Sequence, residues 1–140
     1  MAIYHYFPNK RAVLEAATVE LMESIYEPTG QGEWQVELLR LCNSYLILLH
    51  NHTGLLETML SMSEGGPAEI FISRYQAVVS PLNLTDSDMK DALDLLVDYL
   101  HGFALAVHCN EGTSQLTVDM ARGPIKFYVD ALAVKSQRTG

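Results

Sequence analysis

Apolar residues recur along this chain at intervals of three and four, in segments punctuated by Pro, Gly and Asn. That is the spacing of amphipathic helices. After Pro8, Asn9 is a natural N-cap, and Val13, Leu14, Ala17, Leu21 and Ile25 predict a helix over about 10–26, stopped by Pro28 and Gly30. A second helix is predicted over about 33–51, with Leu38, Leu41, Cys42, Tyr45 and Leu49 in one stripe. Leu39, Leu46 and Leu48 widen that stripe almost all round, the mark of a central helix. Gly54 ends it, and Leu55, Leu56, Met59, Leu60 and Met62 predict a short helix before Gly65-Gly66-Pro67. Pro67 suits the first turn of a further helix, with Ile70, Phe71, Tyr75 and Val78 inward before Pro81.

The stretch LTDSDM carries the fullest start signal. Thr85 is the N-cap, Asp88 holds the third position of a capping box, and Leu84 and Met89 have the spacing of a hydrophobic staple. The helix they begin should continue to about His108. Met89, Leu93, Leu96, Leu100, Phe103 and Val107 form one apolar face; Leu95, Tyr99 and Ala106 form a second. Two apolar faces require two things to pack against, the chain's own core and something else. A last helical segment is expected from near Ser114, with Gly123-Pro124 kinking or splitting it. Nothing reads as a strand with hairpin turns, so the fold class is all-α, a helical bundle.

A chain of 140 residues fits one domain able to bury its own core. With 49% hydrophobic and 19% charged residues it reads as globular. Arg40, Asn43, Asp94 and Asp98 interrupt its longest apolar stretches, and no membrane span is expected. Cys42 and Cys109 lie within apolar helical patterns and read as small buried hydrophobes of a reducing, cytoplasmic protein. The net charge of −8 disfavours adhesion to nucleic acid or an anionic membrane. It is unevenly spread: Lys10 and Arg11 precede any carboxylate, whereas Asp86, Asp88, Asp91, Asp94 and Asp98 crowd one helix.

The start of the chain, IYHYFPNKRAVLEA, resembles the tetracycline-repressor (TetR) family of bacterial regulators, whose recognition helix ends in a pattern like L-Y-x-H-F-x-x-K-x-x-L-L. Ile3, Tyr4, Phe7, Lys10, Val13 and Leu14 match it, and Tyr6 stands where His is usual. LLVDYLHGFALA and IKFYVDALAV look like the two last helices of that family, which pair across a dimer. The likeness spans most of the chain, with its sharp signature in the first sixteen residues.

The resemblance implies residues 1–9 as a remnant of a helix-turn-helix domain and 10–140 as an effector-binding and dimerisation domain. It implies that Tyr4, His5 and Lys10 face DNA phosphates, contacts that position a protein without reading sequence. Leu95, Tyr99, Ala106, Phe127, Tyr128 and Leu132 would form a homodimer interface. Trp34, Tyr45, Met59, Met62, Phe71, Tyr75 and Phe103 come from different helices, and either pack the core or line a pocket for a largely apolar effector. The pocket is what the resemblance implies. Helices needed before the recognition helix are missing ahead of Met1, so Met1 is expected to be internal to a longer protein or a misassigned start. DNA would then be bound only by a longer chain. The expected function is a transcriptional regulator, commonly a repressor, released from DNA by a small molecule. The alternative is a small-molecule-binding protein with no DNA role.

Other constellations carry less. Asp98, His101, His108 and Cys109 could offer metal ligands, but two turns separate the histidines and no tight ligand spacing occurs, so core or interface histidines are the better reading. His50 and His52 close a helix. The aspartates of 86–98 read as a solvated face, with Lys90 paired to Asp94. No nucleophile elbow or carboxylate pair indicates an enzyme, and no cofactor is expected.

Overall fold

The computed structural model describes residues 10–62, 66–110 and 116–139, with side chains to residue 136. Six α-helices make up the described residues: α1 Lys10–Glu23, α2 Trp34–Asn51, α3 Leu55–Ser61, α4 Pro67–Val79, α5 Asp86–Cys109 and α6 Arg122–Thr139. Single 3₁₀ turns, Ser80–Leu82 and Val118–Ala121, lead out of α4 and into α6.

α2 is the hub. It packs against α1, α4, α5, α6 and the 118–121 turn, as its nearly all-round apolar pattern requires. Leu38, Leu41, Cys42, Tyr45, Leu46, Leu48 and Leu49 are all buried. α4 adds Phe71, Tyr75, Val78 and Val79, and α5 adds Leu96 and Leu100. Ile125, Val129 and Leu132 of α6 complete one core.

Local signals set the helix starts. The Asp88 N–H donates to the Thr85 hydroxyl at 3.1 Å, which makes Thr85 the N-cap of α5. Leu84 and Met89 pack beside it against the core. Gly54 precedes α3 with φ +87°, and Gly66 precedes α4 with φ +67°, conformations that glycine adopts without strain. At Gly66 a Cβ would also stand 3.1 Å from the Glu15 carboxylate.

Three sequence expectations need correction. α1 ends at Glu23 rather than near residue 26, and its inward residues are Thr18 and Met22, with Ile25 just beyond; Leu14 is 46% exposed and Ala17 lies outside. Thr18 can be buried because its hydroxyl donates to the Leu14 carbonyl at 2.7 Å. Cys42 is buried, but Cys109, the last residue of α5, is exposed. Gly123-Pro124 does not kink a continuous helix: the 3₁₀ turn ends at Ala121, and Pro124 falls in the first turn of α6, where its missing N–H costs nothing.

α5 is the one described helix long and apolar enough to cross a membrane by length and composition, with a mean hydropathy of 1.3 over its most apolar window. Asp91, Asp94 and Asp98 are exposed along it, and its other face packs on α2. Only 17% of that window is buried inside the chain. On its second apolar face Leu95 is exposed, while Tyr99 and Ala106 are half-buried.

Candidate functional site

Four helices bring polar and aromatic groups to one point inside the bundle. Tyr45 of α2 is 2% exposed. Its ring lies 4.9 Å from that of Phe71 in α4, and its hydroxyl stands 4.0 Å from the Met59 sulfur of α3. The same hydroxyl is 2.7 Å from Nε2 of His101 in α5. Burial pushes the Tyr45 phenol well above its ordinary range, so it stays O–H. Burial also holds the His101 imidazole below its usual value, partly opposed by the Asp98 carboxylate. Both effects keep the pair uncharged, a phenol and a neutral imidazole sharing one hydrogen bond whose direction follows the imidazole tautomer.

A second buried pair sits beside the first. The Tyr128 hydroxyl of α6 donates to the Ala92 carbonyl of α5 at 2.6 Å. It has one proton, so the Tyr75 hydroxyl, 2.7 Å away, must be the donor of their shared bond. Burial raises both phenols above their ordinary range. Nearby, burial pushes the Cys42 thiol up to about 12, which makes it an unreactive apolar filler. Among the described residues no three His, Cys, Asp or Glu side chains gather as a metal site.

The seven predicted pocket residues thus separate. Tyr45, Met59 and Phe71 meet; Tyr75 belongs to the neighbouring Tyr128 pair. Phe103 faces a cavity of about 50 Å³ between the ends of α2 and α5, bounded also by Leu46, Leu49 and Val107. That is room for a water or two and not for a drug-sized molecule. Trp34 is half-buried at the first turn of α2, roughly 16 Å along the axis from Tyr45. Met62 lies half-buried just beyond α3. Sequence reasoning missed the part played by His101. A buried phenol must find a partner, but nothing local says which residue supplies it.

The interior is tied to α1. Arg74 of α4 donates to the Ile25 carbonyl at 2.7 Å and to the Glu23 carbonyl at 3.2 Å, closing the C-terminal end of α1. The Tyr26 N–H donates to the Ser44 hydroxyl of α2 at 2.8 Å. Glu37, buried on α2, accepts from the Thr29 N–H at 2.7 Å, the Thr29 hydroxyl at 3.0 Å and the Gly30 N–H at 3.2 Å. These bonds, the Thr29 N–H first, hold its carboxyl below the ordinary value against the opposing effect of burial. At the other end of α1, Arg11 donates to the Ser61 carbonyl of α3 at 3.2 Å.

The predicted surface residues divide similarly. Leu95 is 65% and Phe127 78% exposed, while Tyr99 and Ala106 are half-buried. Tyr128 turns its hydroxyl inward, and Leu132 lies in the chain's own core. Lys10 is exposed at the first residue of α1. Tyr4, His5 and the whole 1–9 segment lie outside the described residues.

Residues 28–123 match the family described as Tetracyclin repressor-like, C-terminal domain. No curated relative matches the chain in sequence. In structure the chain is similar to BioQ of Mycobacterium smegmatis, with a TM-score of 0.74 and 20% identity over 95% of this chain and 78% of that one. BioQ solved with its natural double-stranded DNA operator gives a TM-score of 0.72 at 18% identity, over 95% and 77%. A TetR variant from Acinetobacter baumannii AYE in complex with minocycline gives 0.69 at 19% identity, over 99% and 78%. At such identities the likeness is one of fold.

Proposed function

The chain belongs to the tetracyclin repressor-like C-terminal domain family, a family of regulators rather than enzymes, and from that premise we propose that it is the effector-binding and dimerisation domain of a DNA-binding repressor. Relatives in fold have been solved with operator DNA and with a small molecule. The observation that carries the reading is the tether on α1. That helix runs from the segment resembling the end of a recognition helix to the interior, where Arg74 and Tyr26 bind it to α4 and α2.

The effector enters beside Tyr45, Met59, Phe71 and Phe103. With only about 50 Å³ open next to Phe103, entry must spread α2, α4 and α5. Displacing α4 moves Arg74, and with it the end of α1. In a dimer this changes the spacing of the two DNA-binding heads, so both half-sites can no longer be met together. Tyr4, His5 and Lys10 serve as phosphate contacts in this reading.

The dimer forms through the second apolar face of α5 and the outer face of α6, with Leu95, Tyr99, Ala106 and Phe127 at its centre. Tyr128 and Leu132 support that face from beneath. Sedimentation equilibrium at micromolar concentration tests this: a dimer is expected, and a stable monomer overturns it.

A further inference from the structure

By helical spacing, Arg40 and Asn43 lie on the side of α2 away from Tyr45. They lie together on one stripe of α2, and the hydrogen bonds of the interior do not use them. They line a groove of about 460 Å³ between α2 and residues 118–125, a volume in the range of small-molecule sites. Its apolar lining is wholly aliphatic: Val36, Leu39 and Leu46 on one wall, Val118, Ala121 and Ile125 on the other. No ring is present to stack on a planar ligand.

The charges in the groove are unusual for this chain. Its net charge is −8, and its lysines on α5 and α6 are spoken for: Lys90, Lys126 and Lys135 pair with Asp94, Asp130 and Asp88. Arg11 and Arg74 bind backbone carbonyls. Arg40 and Arg122 differ. Both are exposed, both line this groove, and among the described residues neither has a carboxylate at ion-pair distance. Arg40 has only the Tyr26 ring, 5.9 Å from its guanidinium carbon. Asp119 and Asn43 also line the groove, leaving a local excess of one positive charge.

We propose that this groove binds a small aliphatic carboxylic acid. Arg40 and Arg122 hold the carboxylate, for which the guanidinium fork is the matching donor, and Asn43 offers an amide donor. The chain lies between the aliphatic walls toward Leu46 and Val118, roughly 9 Å along α2 from Arg40. Those two residues also bound the small cavity beside Phe103, so they form the shared wall between groove and interior. The site stands apart from the Tyr45 interior and from any role in DNA binding.

Isothermal titration of the full chain with octanoate, and separately with 1-octanol, tests the proposal. One octanoate per chain is expected, bound about tenfold or more tightly than the alcohol, because a charge-assisted pair is lost with the charge. Arg40→Gln and Arg122→Gln should each weaken octanoate about tenfold, without changing the circular dichroism of the exposed positions' helices. Tyr45→Phe should leave octanoate binding unchanged. Absence of octanoate binding, equal binding of the alcohol, or full affinity in the double arginine variant overturns the proposal. So does loss of binding in Tyr45→Phe, which would put the acid in the interior. If the arginine variants shift the sedimenting mass and not octanoate affinity, the groove belongs to a contact between copies, and the proposal falls.

Discussion

His101 shows how one side chain couples the interior to solution conditions. Its imidazole lies below its usual 6.5 because burial disfavours the cation. As pH falls through 6.5 the unfolded chain takes up a proton that the folded chain resists, so the unfolded state binds more protons and stability falls with pH. The contribution is therefore fully present above 6.5 and is lost toward the lower folded value. His101→Gln should flatten that part of the profile, read as the difference in urea midpoints between about pH 7 and about pH 5. Equal slopes for the two proteins would remove His101 from the account. Tyr45→Phe leaves Nε2 without its hydrogen-bond partner and should cost about 1 kcal/mol in the same measurement at neutral pH. The Tyr45–His101 pair was not legible in the sequence. Its two members are 56 residues apart, and only the crossing of α2 and α5 makes them neighbours.

At the scale of elements, helix starts and inward faces were legible wherever the sequence carried its own signal. Thr85 caps α5 as its position predicts, accepting from the Asp88 N–H, while the Asp88 carboxylate faces Lys135 at 3.7 Å; the α2 stripe is buried as its period predicts. α1 was the exception, because its sequence offers two competing stripes. Leu14 and Ala17 make the more apolar one, yet Thr18 and Met22 are inside, since α4 and α2 approach from that side. Where α1 ends is also set from outside, by Arg74 of α4. Arg74→Met should free the Glu23 and Ile25 carbonyls and speed amide hydrogen exchange over about 20–26 relative to the rest of the chain. Arg74→Lys should rescue it only in part, since an ammonium cannot span both carbonyls as the guanidinium does. Uniform exchange across α1 in both variants would show that the helix is held by packing alone.

For the whole molecule, the decisive feature is the apolar surface left outside. Leu95 and Phe127 are large, largely exposed, and carried on two of the longest helices; fully burying each is worth roughly 1.5–3 kcal/mol. Leu95→Glu with Phe127→Glu should convert a dimer to a monomer in sedimentation equilibrium. It should leave the monomer's own unfolding midpoint within about 0.5 kcal/mol, as expected of surface substitutions away from the core. A double variant that stays dimeric would place the contact elsewhere. The exposed Lys90–Asp94 and Lys126–Asp130 pairs flank these faces and contribute little by themselves.

Sequence alone determined what short-range physics determines: six helical segments, the Thr85 cap of α5, the glycine turns before α3 and α4, the centrality of α2, and the apolar patterning of α5. Periodicity of 3.6 and capping chemistry act within a few residues, so they can be read in one dimension. The tertiary structure decided which of two stripes α1 buries, that Cys109 stays outside, and that Tyr128 and Leu132 turn inward. It also decided which phenol meets which imidazole, and that Arg40 and Arg122 share one groove. Each of these depends on where a second helix lies, and helix crossings are set by the packing of whole faces rather than by any local run of residues.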